Sequence, residues 1–251
     1  MALEDVSDYV VSSYMPTLTA LVSPPPKTNP FKMLVAIEAC TLQWTRLELS
    51  NIRQRLLCKC NTESCKCLIT VGTSKSTASV KEVLSHLPSV SIAHFACHGT
   101  QSLDKPLESS LILPDGDLKI SEIMRLSLPE ASLAFLSACQ TAQGDIEVPD
   151  EAIHIAATML FVGFRGVVGT MWCVAILFPT LALTKLRRTI RDNDAPEIVD
   201  SFYGYLFRDI ATHYPDTTEA ARALHIAVKE FRKKHPKCSF EHWVPFIHIG
   251  L

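Results

Sequence analysis

A chain of 251 residues, 47% of them hydrophobic, can bury one sizeable core, and a net charge of −2 gives no reason to expect a nucleic acid as partner. The opening residues Met1-Ala2-Leu3-Glu4-Asp5 carry neither a basic region nor an apolar core, so no signal peptide is expected. Nine cysteines, an odd number, then point to reduced thiols and a cytoplasmic protein.

In chain order, residues 9–13 read as a strand and Pro16 suits the first turn of a short helix reaching Val22. Pro24-Pro25-Pro26 is a stiff spacer. Residues 32–37 read as a buried strand, and residues 45–57 as a helix with Leu49, Ile52 and Leu56 on one face. Cys58, Cys60, Cys65 and Cys67 follow as C-x-C-x4-C-x-C. Four thiols suffice in number to enclose a soft metal, but the spacing is not that of zinc-finger pairs. An exposed loop without metal is expected.

Residues 67–71 predict a strand. Val80, Val83, Leu84 and Leu87 then follow helical spacing up to Pro88. Residues 110–120 predict a hairpin turning at Asp115-Gly116, with Ser121 capping a brief helix to Arg125. Residues 141–150 are polar. Residues 152–162 form an apolar helix pattern, and residues 166–172 another buried strand. Helices are expected over 196–212 and 217–234, the second with Ala220, Leu224, Val228 and Phe231 inward, and a closing strand over 243–249. Repeated strand–helix units imply one doubly wound α/β domain with helices on both faces of the sheet.

Two stretches carry chemistry. Ser91-Ile92-Ala93-His94-Phe95-Ala96-Cys97-His98-Gly99 and Ala131-Ser132-Leu133-Ala134-Phe135-Leu136-Ser137-Ala138-Cys139-Gln140 are short apolar runs, as buried parallel strands are, ending in His98 and Cys139. In an open parallel sheet the ligand crevice lies beyond the carboxyl ends of the strands, so adjacent strands would bring this His and Cys to one mouth. A thiol attacks a carbonyl as thiolate, and a nearby imidazole can take its proton and later return it to a leaving amine. Gly99 lets the backbone approach a substrate and point an N–H at an oxyanion. By the residues alone, a buried Cys and a satisfied core His remain an equal alternative.

The blocks His94-Phe95-Ala96-Cys97-His98-Gly99-Thr100 and Phe135-Leu136-Ser137-Ala138-Cys139-Gln140-Thr141-Ala142 closely resemble the CHAT domain, a caspase-like module related to separases and often found beside tetratricopeptide repeats. The resemblance extends through Leu126-Ser127-Leu128-Pro129, Pro149-Asp150-Glu151-Ala152, Arg165-Gly166-Val167-Val168-Gly169-Thr170-Met171-Trp172 and Trp243-Val244-Pro245-Phe246-Ile247-His248-Ile249-Gly250. It implies a caspase-like three-layer α/β/α sandwich around a mostly parallel sheet. It also implies a cysteine endopeptidase with His98 and Cys139 as its dyad, the N–H groups of Gly99 and Cys139 as oxyanion hole, and no cofactor. Loop 141–150 would flank the cleft, with His94 and Cys97 serving as packing. In separases, acidic residues after a Trp-containing strand line the specificity pocket. Asp192 and Asp194, after Trp172, match the corresponding segment and imply binding of a basic substrate side chain.

Departures from the family pattern at the beginning of the chain, at the Cys58, Cys60, Cys65 and Cys67 cluster and after Trp172 bear on this. Relatives have further residues before the segment 8–14, so an N-terminal part looks missing and one sheet edge unprotected. No tetratricopeptide repeat period occurs in the chain; the partners expected are a protein or peptide substrate and a regulatory repeat-domain protein. Residues 173–191 look like an insertion, such as a retained intron would leave. The span 166–184 lacks charge, but it begins as a core strand and is interrupted by Pro179, so no membrane crossing is expected. A catalytically silent CHAT module for signalling contacts, and a fragment that does not fold alone, are the competing readings.

Overall fold

The structure is a computed structural model that describes residues 9–15, 31–57, 67–73, 79–100, 102, 105–137, 155–170, 194–210 and 214–251. The strands are β1 Met33–Ile37, β2 Leu68–Val71, β3 Ile92–Ala96, β4 His98–Thr100, β5 Ser110–Leu113, β6 Gly116–Lys119, β7 Leu133–Ser137, β8 Gly166–Thr170 and β9 Phe246–Gly250. The α-helices are α1 Thr45–Leu57, α2 Ser79–His86, α3 Ile120–Ile123, α4 Ile155–Val162, α5 Ala195–Leu206 and α6 Ala220–Lys234.

Every residue of β1, β3 and β8 is buried, which is why these strands read as unbroken apolar runs rather than as alternating ones. The main sheet runs β2-β1-β3-β7-β8-β9, parallel except for β9, which pairs antiparallel with β8. Side chains alternate between its faces. Met33, Val35, Ile37 and Phe135 meet Ile52 of α1, Phe202 and Tyr203 of α5 and Phe231 of α6. Leu34, Ala36, Phe95 and Leu136 meet Val83 of α2, Ile123 of α3 and Met159 of α4. The molecule is therefore an α/β/α sandwich with two cores. Strand order reverses at β1, whose neighbours are β2 on one side and β3 on the other, and a crevice opens where an order reverses.

Across one helical layer, α1 and α5 are locked together. Arg55 donates to both carboxylate oxygens of Asp200 at 2.7 and 2.6 Å, and Asn51 Nδ2 donates to the Pro196 carbonyl at 3.1 Å. On the opposite face the hairpin β5–β6 joins β4 in a second, three-stranded sheet. Asp115 at its turn accepts from the Val80 N–H at 3.1 Å and so satisfies a donor left open at the start of α2.

Some boundaries differ from expectation. Ser121 does not cap α3. Its Ncap is Lys119, whose N–H donates to the Glu122 carboxylate at 3.1 Å. Residues 240–242 form a 3-10 turn, which delays the final strand to Phe246. Residues 9–13 are not a strand, but their segment is tied to β9 all the same. Tyr14 N–H donates to the His248 carbonyl at 2.9 Å, and Gly250 N–H to the Tyr14 carbonyl at 2.8 Å. Ser13 Oγ sits 2.8 Å from His248 Nδ1. Residues 13 and 14 thus partly cover the β9 edge of the sheet. Burial without a compensating charge pushes the His248 imidazole down to about 4.

Cys67 is disulfide-bonded, which corrects the expectation of uniformly reduced thiols. The other three clustered cysteines lie outside the described residues. So do the expected helix 16–22, loop 141–150 and segment 173–191. Among the described residues no helix is long and apolar enough to cross a membrane.

Candidate active site

The backbone of β1 runs on past Ile37 to Glu38, whose N–H donates to the Ala96 carbonyl at 2.8 Å and holds the two strand ends together. The chain then turns sharply, because the Glu38 carboxylate collects its own downstream donors. It accepts from Cys40 N–H at 2.9 Å, from Thr41 N–H at 3.1 Å and from the Thr41 hydroxyl. Burial works to raise the Glu38 carboxyl, but the donors of Thr41 and Cys40 outweigh it and hold it below the usual carboxylate range. Thr41 Oγ1 in turn lies 3.3 Å from His98 Nε2. The histidine picked out by sequence therefore stands at the strand-order reversal, in contact with the loop that leaves β1.

His98 opens β4 opposite Ile112, and its side chain is exposed, while Gly99 lies opposite Leu111. Cys97, one residue earlier, points into the core, where burial, Glu38 and Glu48 push its thiol far above the ordinary range. That thiol is no nucleophile at neutral pH.

Beneath the strand ends lies a polar cluster that the sequence reading did not anticipate. His94 of β3 is fully buried, with Nε2 at 3.0 Å from Glu48 Oε2 and Nδ1 at 3.2 Å from the Tyr203 hydroxyl. Burial and the Glu48 charge hold the Tyr203 phenol well above its usual range, so it serves as an O–H donor. Ser137, the last residue of β7, donates to Glu48 Oε1 at 3.1 Å. Glu48 on α1 thus clamps β3 to the end of β7. His94 is a hydrogen-bonding member of this clamp rather than plain packing.

β3 and β7 are adjacent and parallel, with Ala96 aligned to Ser137. Cys139 and Asp192 fall outside the described residues. Asp194 is the Ncap residue of α5, and its Oδ2 is 2.6 Å from His242 Nδ1, in a partly buried pair. A groove of about 280 Å³ lies elsewhere, three strands along the sheet at β9, lined by Val10, Leu224, Lys229, Arg232, Trp243 and Phe246 among others. Among the described residues no cluster of His, Cys, Asp and Glu could hold a metal.

No match was found among curated proteins. The family model described as the CHAT domain, by contrast, matches residues 38–251, from the Glu38 turn through β9. With that match spanning most of the chain, and a mostly parallel sheet flanked by helices beneath it, the protein belongs to the CHAT domain family.

Proposed function

We propose that this CHAT domain is a cysteine endopeptidase in which Cys139 is the nucleophile and His98 the base. The observation that carries the reading is the register of β3 and β7. Ala96 aligns with Ser137, and His98 and Cys139 each follow their strand by the same two residues. His98 takes the thiol proton, and the thiolate adds to the scissile carbonyl. The oxyanion is met by the N–H groups of Gly99 and Cys139, and the proton on His98 passes to the leaving amine. Water then hydrolyses the thioester. This route calls for no metal or organic cofactor.

The finer reading is cleavage after Arg or Lys. It is supported by carboxylates after the Trp172 strand, since a carboxylate at a pocket base favours a guanidinium or ammonium. The His242 contact fixes the orientation of Asp194 and occupies its Oδ2, so Asp192 shares the assignment. The substrate would be a protein or peptide, with a repeat-domain protein as regulator. Cytoplasmic action fits the free thiols of Cys40, Cys97 and Cys238 but not the Cys67 disulfide.

A cysteine-reactive peptidyl probe ending in Arg should label the wild-type protein and the Cys97→Ala variant, and should fail on Cys139→Ala. Equal labelling of all three would remove Cys139 from the site. No labelling of any would favour a silent interaction module. A peptide library cut after Asp or apolar residues would reject the basic preference.

A further inference from the structure

The chain Glu38–Thr41–His98 contains more than a contact, because only one arrangement of its protons is consistent. The Glu38 carboxylate accepts two backbone N–H groups, from Cys40 and Thr41, in addition to the Thr41 hydroxyl. A carboxyl surrounded by donors is an acceptor only. The Thr41 hydroxyl has a single proton, and it is committed to Glu38. Thr41 Oγ1 therefore faces His98 Nε2, 3.3 Å away, with a lone pair. Were Nε2 also unprotonated, two acceptors would face each other.

We propose that Glu38, acting through Thr41, is a positioning residue that fixes His98 in the Nε2–H tautomer and leaves Nδ1 as its basic nitrogen. The inference rests on the peptidase reading only for what Nδ1 does next, which is to take the Cys139 proton. The Nε2–H···Thr41 bond survives that transfer and becomes charge-assisted in the imidazolium, with the Glu38 charge one hydroxyl away. The device thus holds the ring still before the transfer and favours the ion pair after it. Its place in the fold suits this role, since Glu38 is fastened to β3 through the Ala96 carbonyl while Thr41 reaches across the strand-order reversal.

The test is a long-range ¹⁵N–¹H correlation spectrum of histidine-labelled full-length protein, with His98 assigned from His98→Gln. The expected wild-type result is a proton on Nε2 and an unprotonated Nδ1 above the titration of the ring. Thr41→Val, which keeps the shape and removes the oxygen, should yield a mixture of tautomers. It should also lower kcat roughly 10- to 100-fold at little change in KM, as loss of a group orienting a functional histidine does. Thr41→Ser should restore both readouts. A wild-type His98 protonated on Nδ1, or a Thr41→Val protein with unchanged tautomer and pH profile, would overturn the inference. Absent turnover with the Nε2–H tautomer intact would instead sink the peptidase reading and leave the relay standing.

Discussion

Glu48 shows how much rests on single polar side chains. It is 3% exposed and serves both His94 and Ser137. Glu48→Ala removes the partner of the buried His94 Nε2 and of the half-buried Ser137 hydroxyl and should cost about 3 kcal/mol, read as a lowered midpoint in urea unfolding. A loss under about 1 kcal/mol would show the clamp to be dispensable. At the cysteines, iodoacetamide at pH 8 should modify exposed Cys40 and spare Cys97, whose thiol is buried and pushed upward, a pattern mass spectrometry reads directly. The place of His98 just beyond a buried strand was legible in sequence because a chemically active residue followed an apolar run. Glu38, Thr41 and Glu48 were not, because they come from a turn and a helix 50 to 60 residues away, and periodicity does not say which polar residue turns inward. A signal existed for Glu48. It stands four residues before Ile52 and beside Leu49, on the stripe already assigned to the core.

Among the elements, the short segments at the margins of the sheet are the ones open to test. Gly72 follows β2 with φ of 81°, and a Cβ there would sit 1.9 Å from the Ile37 carbonyl oxygen. Gly72→Ala should therefore destabilise by on the order of 2–3 kcal/mol and disturb the Glu38 turn that begins at the next residue. The anchor of residues 9–15 on β9 predicts a pH dependence. His248 is neutral in the fold down to about pH 4, whereas an unfolded histidine takes a proton near 6.5. The depressed value means stability is complete above pH 6.5 and is lost as pH falls toward 4, by up to about 3 kcal/mol. Urea midpoints for wild type and His248→Asn should diverge in slope across that window and run parallel above it. Helices α1 and α2 and the β5–β6 hairpin were legible from apolar spacing and the Asp115-Gly116 turn. The N-terminal segment was misread as a strand because its apolar residues suggested pairing along their length, while Tyr14 alone forms the bridge, and Tyr9 and Val10 remain 71% and 49% exposed.

For the molecule as a whole, two cores on opposite faces of one sheet imply uneven protection. Amides of β1, β3 and β7, interior in the sheet and covered on both faces, should exchange with deuterium only on global unfolding. Those of β4, in the small second sheet, should exchange first. Retention at His98–Thr100 as long as at Ile92–Ala96 would mean that the second sheet and the main sheet open as one unit. The overall architecture was readable because alternating strand and helix patterns admit few topologies. What single-sequence reading could not supply was the contact across the reversal at β1, since it joins segments with no shared periodicity.

The bond between Ser13 and His248 spans 235 positions of the chain. During synthesis Ser13 leaves the ribosome long before His248 is made, so residues 9–15 cannot dock on β9 until that strand has been synthesised. A nascent chain halted anywhere before β9 leaves the opening segment undocked and its apolar residues free for a chaperone or protease. Docking of that segment therefore waits on synthesis of β9, and it closes a loop of 235 positions only after the other strands of the main sheet exist.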